Sequence, residues 1–209
     1  FELLGLTPRF ALATEDVRSA YKALQRQLHP DVHHAAAVRA AEEAGPGADD
    51  ASSATFSPED VAAIAAAHSA RINVAADVLS DPVLRAQHLM VTRCGFDPLA
   101  EDAGSGSSLS DPELLMFVME ERQKIEDLDR AGDKVHRATS ADALMMHYQG
   151  LFEDTAEGLD AELDDAALAE MGGDDVRQAE AMQALTSKVV RMQYLSKLQD
   201  ECHSRTEVA

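Results

Sequence analysis

Proline and glycine interrupt this sequence at only a few places, and the intervals between them are long and rich in alanine. Runs of β-branched residues are absent and aromatic residues make up only 4% of the chain, so the pattern favours helices over strands. The sequence therefore predicts an all-α protein. The interruptions fall at Thr7-Pro8, His29-Pro30, Gly45-Pro46-Gly47, Asp81-Pro82, Gly95-Phe96-Asp97-Pro98, Gly104–Ser108 and Gly172-Gly173.

The first long helix is predicted to begin at Thr14, a good N-cap, and to run to Leu28, because Pro30 stops it. At 100° per residue its apolar side chains form one stripe and its basic side chains another face. The stripe comprises Val17, Tyr21, Leu24 and Leu28, and the basic face comprises Arg18, Lys22 and Arg26.

A second long helix is predicted to begin at Ser57-Pro58, since proline suits the first helical position. A loop over about residues 35–57, rich in alanine, glycine, serine and acid, separates it from the first helix. The two helices form an antiparallel hairpin. We expect its buried stripe to comprise Val61, Ile64, Ala65, His68, Ile72, Ala75 and Leu79, with His68 as a core histidine. A short helix from Pro82 to about Arg93 follows.

The second half of the chain reads as a three-helix antiparallel bundle after a short polar linker. Ser110 caps the first of its helices. Residues 153–175 hold ten acidic and no basic side chains, which predicts a solvated helix end and loop. The resulting organisation is a first domain over 1–93, a linker over 94–108 and a bundle over 109–209, with its later helices over about 140–159 and 174–203.

A helical wheel of the first bundle helix separates its apolar residues into two groups. Within about 60° of Leu114 lies a core stripe with one acid, made of Phe117, Val118, Glu121, Ile125 and Leu128. Leu115, Met116 and Met119 fall on the far side. An apolar group there predicts an exposed binding patch, unless the first domain or a neighbouring helix covers it.

The formal net charge is −20, from 18 basic and 38 acidic side chains. Nucleic acid and anionic membrane are excluded as expected partners, because both require a basic footprint. No uncharged apolar run of about 18 residues occurs, and no signal or transit peptide is recognisable. Residues 1–98 carry 8 basic and 13 acidic side chains, whereas residues 99–209 carry 10 and 25. This asymmetry predicts two surfaces with different partners.

Neither a metal, a cofactor nor an enzymatic site is expected. The two cysteines, Cys94 and Cys202, lie far apart without a C-x-x-C spacing, which excludes a cysteine zinc site. The sequence does not decide whether they form a disulfide, and it favours two buried or idle thiols in a reducing compartment. A histidine-rich stretch at 29–34 has metal-binding composition, but Pro30 and a flexible loop do not preorganise ligands. No nucleophile, paired-carboxylate or phosphate-cradling arrangement is present.

His29-Pro30-Asp31 directly follows the helix with the basic face and precedes the loop and second helix of the hairpin. In this context the tripeptide resembles the J domain of co-chaperones of the DnaK class. The similarity extends to the short first helix of a J domain, which precedes the hairpin, and to the second helix of the hairpin, which is the third helix of a J domain. It is carried by Phe1-Glu2-Leu3-Leu4-Gly5-Leu6, Tyr21 to Asp31, Ile72 to Pro82, and Arg85-Ala86.

The subfamily resembled is HscB, which joins a J domain to a C-terminal three-helix bundle and serves iron–sulfur cluster biogenesis. Arg85-Ala86-Gln87-His88-Leu89, Gly95-Phe96-Asp97, Leu114 to Arg122 and Tyr194 to Leu198 carry the resemblance. It covers nearly the whole chain, apart from the loop at 38–57 and the acidic stretch near 160–175. The fold it implies is L-shaped, with two domains.

The resemblance implies two partners and a function. A DnaK/HscA-type 70-kDa heat-shock chaperone would bind the J domain, which stimulates its ATPase, through His29, Pro30, Asp31, Lys22, Gln25, Arg26 and Gln27. The iron–sulfur scaffold protein IscU would bind the bundle through Leu115, Met116, Met119, Glu120 and Tyr194. ATP and the iron–sulfur cluster belong to these partners, so the chain itself carries no cofactor.

One departure from the family pattern is Val32, where lysine usually follows the tripeptide. It predicts weaker chaperone docking. The alternative function is a general J-domain co-chaperone for unfolded clients, which would need a broad apolar groove and often a Gly/Phe-rich or zinc segment. The long insert after Asp31 predicts a mitochondrial matrix protein, with the bacterial cytoplasm as the alternative.

Overall fold

The computed structural model describes residues 1–28, 57–100, 112–130, 134–172 and 175–207, together with Ala35 and Arg39. Every regular element within these ranges is helical, so the all-α prediction is confirmed. The chain divides into two compact units, Phe1–Pro82 and Val83–Ala209. The predicted loop at about 35–57 and most of the predicted linker lie outside the described residues. No helix in the described ranges is long and apolar enough to cross a membrane.

The first unit is a helical hairpin with a short turn packed against it. A 3₁₀ turn over Glu2–Leu4 ends at Gly5, whose φ of 64° lies in the left-handed region that glycine tolerates. Helix α1 spans Thr14–Leu28 and helix α2 spans Pro58–Ser80, as the sequence predicts. The buried core of the unit consists of Leu4, Leu12, Val17, Ile72, Ala76 and Leu79.

Helix α2 begins with a complete capping box. The Ser57 hydroxyl accepts a hydrogen bond from the Asp60 backbone N–H at 3.1 Å, and the Asp60 carboxylate accepts one from the Ser57 N–H at 3.2 Å. Pro58 occupies the first helical position, where its missing N–H costs nothing. Two backbone donors that the helix cannot satisfy are therefore paired locally.

The predicted burial of Ile64 and His68 on α2 is wrong. His68 is exposed and Ile64 is 45% exposed. The reason is the position of the core, which packs against the later turns of α2, from Ile72 to Leu79. The apolar periodicity of α2 continues toward its N-terminus, but the main core cluster does not follow it.

Within the described ranges, the second unit contains five helices. The longest, α7, extends about 50 Å at 1.5 Å per residue and packs against α4, α5 and α6, most extensively along α5. Its buried side chains include Leu185, Val189, Met192, Leu195 and Leu198. The helices are α3 (Pro82–Cys94), α4 (Pro112–Arg130), α5 (Lys134–Ala156), α6 (Leu159–Gly172) and α7 (Asp175–Glu207).

Helix α3 belongs to the second unit from Val83 onward, whereas the sequence groups it with the first domain. Arg93 of α3 forms an ion pair with Asp164 of α6. Leu99, which the sequence places in the linker, packs against the cluster of Leu114, Val118 and Val190. The contacts of this segment therefore connect it to the helices that follow it along the chain.

The acidic segment that was expected to be a helix end and loop contains α6, so four helices rather than three follow the linker in the described ranges. Its buried residues are Leu159, Leu163 and Ala166, at 1%, 0% and 1% exposure. Their spacing of four and three places them on one face of a helix. Two of the acids of α6, Glu162 and Asp165, pair with Lys188 and Arg177 of α7.

Candidate functional site

The first candidate surface is the basic face of α1. Lys22, Arg26 and Gln27 are exposed on this helix, as a docking face requires. His29, Pro30 and Asp31 lie outside the described residues, so their part in the site stays a prediction. The histidine-rich stretch that follows them is outside as well. Within the described ranges no group of three or more metal-ligating side chains comes together.

Gln25, the fourth predicted docking residue of α1, is half-buried and forms hydrogen bonds to α2. Its amide nitrogen donates to Asn73 Oδ1 at 2.5 Å, and its amide oxygen accepts from Ser69 Oγ at 3.2 Å. The Tyr21 hydroxyl donates to the same Asn73 oxygen at 3.2 Å. Gln25 therefore positions α1 against α2, and its contact with a partner stays a prediction.

The second candidate surface is an apolar patch on α4, formed by Leu115, Met116 and Met119. These side chains are 52%, 61% and 64% exposed, whereas Leu114 and Val118 on the opposite side of the helix are 8% exposed each. The wheel analysis is confirmed on both faces. Large apolar side chains that remain in water next to one another mark a binding surface, and methionine adapts readily to a partner's shape.

Glu120 and Tyr194 complete the predicted scaffold-binding set. Glu120 is exposed beside Met119. Tyr194 of α7 is half-buried and packs against the cluster of Leu114, Val118 and Val190. The fold therefore brings all five predicted residues into one unit, four on α4 and the fifth on the helix that α4 packs against.

Two cations beside this surface were not singled out from the sequence. The Arg191 guanidinium carbon lies 4.8 Å from the Phe117 ring centroid, and Lys197 Nζ lies 5.6 Å from that of Tyr194. Both distances are within the range of cation–π attraction. The α7 side of the site is therefore basic, although this half of the chain is strongly acidic. The Arg191–Phe117 pair forms only when α4 and α7 come together, so helical periodicity cannot reveal it, whereas Lys197 and Tyr194 are one turn apart on α7.

A buried polar network lies on the core side of α4. Glu121 is 4% exposed and accepts hydrogen bonds from Tyr148 at 3.2 Å and from Lys124 at 2.7 Å. Burial, together with the negative charge of Glu121, raises the pKa of the Tyr148 hydroxyl far above its usual value. The neutral hydroxyl remains a donor to the carboxylate, and the network fixes the orientation of the helix that carries the patch.

Chemically, these surfaces suit contacts between proteins. One is a row of exposed cations on α1, and the other is an apolar patch with aromatic and charged neighbours. Exposed apolar groups surrounded by charge form the core and rim of a protein interface.

Comparison with known proteins finds one matching family, described as the HSCB C-terminal oligomerisation domain, over residues 110–203. A co-chaperone protein HscB homolog of Shewanella halifaxensis is 26% identical over 201 residues, which cover 96% of this chain and 92% of the relative. A homolog of the same name from Vibrio atlanticus is 31% identical over 134 residues, covering 64% and 63%.

Two solved structures share the fold. The chaperone HscB of Vibrio cholerae aligns with a TM-score of 0.59 and 22% identity, over 100% of this chain and 97% of that one. The human co-chaperone protein HscB aligns with a TM-score of 0.58 and 20% identity, over 100% and 82%. The J-domain-plus-bundle architecture implied by the sequence agrees with both alignments.

The relatives from Shewanella and Vibrio are bacterial. They support the bacterial alternative for the location of the chain and give no support to the mitochondrial one. Their shared name is that of co-chaperones, a class that acts on other proteins rather than on small-molecule substrates. The full-length similarity, the domain match and the common fold agree with the motifs read from the sequence. The domain match over residues 110–203 and the similarity to the HscB homologs support an HscB-type co-chaperone.

Proposed function

We propose that this protein binds the iron–sulfur cluster scaffold IscU through its second unit and delivers it to a DnaK/HscA-type chaperone, whose ATPase it stimulates. The observation that carries the proposal is the exposure of Leu115, Met116 and Met119, each more than half in water. The setting is iron–sulfur cluster assembly and transfer, and the location is the bacterial cytoplasm.

The scaffold-binding half of the proposal rests on the contrast between the two faces of α4. The core side is anchored by Leu114, Val118 and the buried Glu121, so the patch is presented on a rigid helix. A preformed apolar surface binds with little loss of conformational entropy. Tyr194 supplies an aromatic group of the kind that anchors protein interfaces.

The chaperone-binding half rests on α1. Lys22 and Arg26 are exposed on a helix tied to α2 through Gln25, so the cations are held in register with the hairpin. Arginine makes forked contacts to carboxylates, which suits an acidic chaperone surface. His29-Pro30-Asp31 would act at the end of this helix, with Val32 weakening the docking relative to chains that carry lysine there.

The scaffold claim is tested by calorimetry of IscU binding to the wild type and to a variant with Leu115→Ala, Met119→Ala and Tyr194→Ala. We expect affinity to fall at least about tenfold, since interface anchors cost more than about 1 kcal/mol each when truncated. Met146→Ala is the matched control, because Met146 is 75% exposed in the same unit but outside the site. Undiminished affinity in the triple variant contradicts the proposal.

The chaperone claim is tested by ATPase stimulation. His29→Gln should abolish stimulation of the heat-shock chaperone while IscU affinity and thermal unfolding remain unchanged. Stimulation equal to that of the wild type contradicts the J-domain assignment. If the protein instead held a permanently unfolded client as tightly as IscU, the alternative of a general J-domain co-chaperone would replace scaffold delivery.

A further inference from the structure

Arg191 forms part of the wall of a cavity of about 340 Å³ in the second unit. The cavity lies where α4, the end of α5 and α7 meet. Its apolar wall is Leu114 and Phe117, and its polar lining is Glu113, Thr155, Ser187, Lys188 and Arg191. A volume of this size accommodates a small ligand or one long side chain of a partner.

Arg191 carries an unused hydrogen-bond donor. Its Nε is buried and has no acceptor, and its guanidinium group contacts the Phe117 ring without forming an ion pair within the described part of the chain. Native proteins pair nearly all buried donors, so this one is open to an acceptor from outside the chain, either water or a group of a partner. Because guanidinium donors form a planar fork, the matching acceptor is a carboxylate or phosphate.

The other polar groups of the cavity differ in availability. Lys188 Nζ already contacts Glu162 and the Glu157 carbonyl, and the Thr155 hydroxyl donates to the Leu151 carbonyl at 2.7 Å. Glu113 is exposed, so solvent reduces its repulsion of an incoming anion. Arg191 is therefore the donor that a bound anionic group would engage, with the half-buried Ser187 hydroxyl beside it.

The cavity lies one turn of α7 from Tyr194, a predicted scaffold contact. Tyr194 follows Arg191 by three residues and packs against the cluster of Leu114, Val118 and Val190, of which Leu114 also lines the cavity. The patch residues Leu115, Met116 and Met119 lie on the other side of α4. A partner that contacts Tyr194 would therefore come within reach of the Arg191 guanidinium.

Building on the proposed function, we propose that an aspartate or glutamate side chain of the scaffold partner enters this cavity and accepts hydrogen bonds from Arg191. A partner side chain is favoured over a free anion because the chain carries a net charge of −20, which repels small anions from solution. A carboxylate on a partner already held by the patch arrives at a high effective concentration. Arg191 would then add specificity to the adaptable apolar contact.

The test is calorimetry of IscU binding to Arg191→Gln and Arg191→Lys, with unfolding curves recorded for each variant. We expect about a tenfold or greater loss of affinity for Arg191→Gln, the size associated with hydrogen bonds to charged groups. Arg191→Lys keeps the charge but lacks the Nε donor and should lose at least about threefold. Wild-type affinity in either variant overturns the assignment.

The matched control is Arg177→Gln, which removes one positive charge from the same helix. Arg177 is exposed and lies about 21 Å from Arg191 along α7, at 1.5 Å per residue. Its affinity for IscU should stay within about twofold of the wild type, as for an exposed charge. An equal loss in Arg177→Gln and Arg191→Gln would mean that only net charge matters, which overturns the site.

Two further measurements separate the possible failures. If Met119→Ala weakens IscU binding while Arg191→Gln does not, the proposed function survives and the cavity assignment fails. If Met119→Ala also has no effect, the proposed function itself fails. The NMR signal of the Arg191 Nε–H should shift on addition of IscU but not with millimolar acetate or inorganic phosphate. A shift with either anion alone assigns the cavity to a free ligand instead.

Discussion

Tyr148 of α5 donates its hydroxyl hydrogen to the carboxylate of Glu121 on α4, at 3.2 Å, inside the second unit. Both side chains are buried, at 0% and 4% exposure. Lys124, one turn away on α4, approaches the other carboxylate oxygen at 2.7 Å and offsets the charge. The helix that presents the apolar patch is thus joined to its neighbour by a directional contact as well as by apolar packing.

Tyr148→Phe should destabilise the protein by about 1–3 kcal/mol, because it leaves a buried carboxylate with one acceptor position unfilled. Urea unfolding measures the change. Tyr21→Phe serves as the control, since the Tyr21 hydroxyl bonds to Asn73 in a more exposed setting and its loss should cost less than about 1 kcal/mol. Equal costs for the two variants would contradict a special role for the buried network.

Stability should fall in alkaline solution, in part because of Cys202. Burial raises the pKa of its thiol from 9.0 to about 11, with Glu201 adding to the increase and Arg205 opposing it. The native state thus keeps a proton that the unfolded chain loses, so the contribution is complete below pH 9 and is lost as the pH rises toward 11. Between pH 8 and pH 10, the free energy of unfolding measured in urea should fall by about 1 kcal/mol less for Cys202→Ala than for the wild type. Identical pH dependence would contradict the prediction.

Leu163→Ala should destabilise the second unit by about 2–5 kcal/mol, the range for buried leucines. Leu163 is fully buried on the acidic helix α6. Val176→Ala is the control, since Val176 is 71% exposed and its loss should change the free energy of unfolding by less than about 0.5 kcal/mol. If Leu163→Ala were equally mild, α6 would not be an integral part of the packed unit.

Reversing the charges of α1, with Lys22→Glu and Arg26→Glu, should raise the concentration needed for half-maximal ATPase stimulation by about tenfold or more, because like charges face each other at the docking surface. Raising the ionic strength should also raise the concentration of the wild-type protein needed for half-maximal stimulation. Arg71→Glu changes an exposed charge on the other arm of the hairpin and should leave stimulation unchanged. Equal effects at Lys22, Arg26 and Arg71 would contradict the assignment of α1 as the docking face.

The parts of the fold that sequence predicts well depend on local rules. The start of α2 follows from Ser57-Pro58, and the two faces of α4 follow from the 100° period of its apolar residues. Thr14, predicted as the N-cap of α1, is instead its first helical residue, and the Ala13 carbonyl accepts from the Asp16 and Val17 N–H groups. These features involve residues close together along the chain. The same period fails at His68, because it reports which residues share a face and not how far the opposing core extends.

What the sequence does not predict depends on packing between distant segments. Helix α6 is not predicted because its many acidic residues outweigh the signal of three apolar residues at helical spacing. The assignment of α3 is hidden because only Asp81 separates it from α2, while its Arg93 pairs with a residue 71 positions away. Arg191 and Phe117 are brought together by the packing of α4 on α7, so no local pattern identifies their contact.

The capping box at Ser57 and Asp60 has an evolutionary consequence. Helix α2 carries its own start signal, so its first turn is defined by four consecutive residues and not by the length of chain before them. Insertions or deletions upstream of Ser57 would leave the register of α2 against α1 unchanged. That boundary is where related chains can gain or lose residues without rebuilding the hairpin.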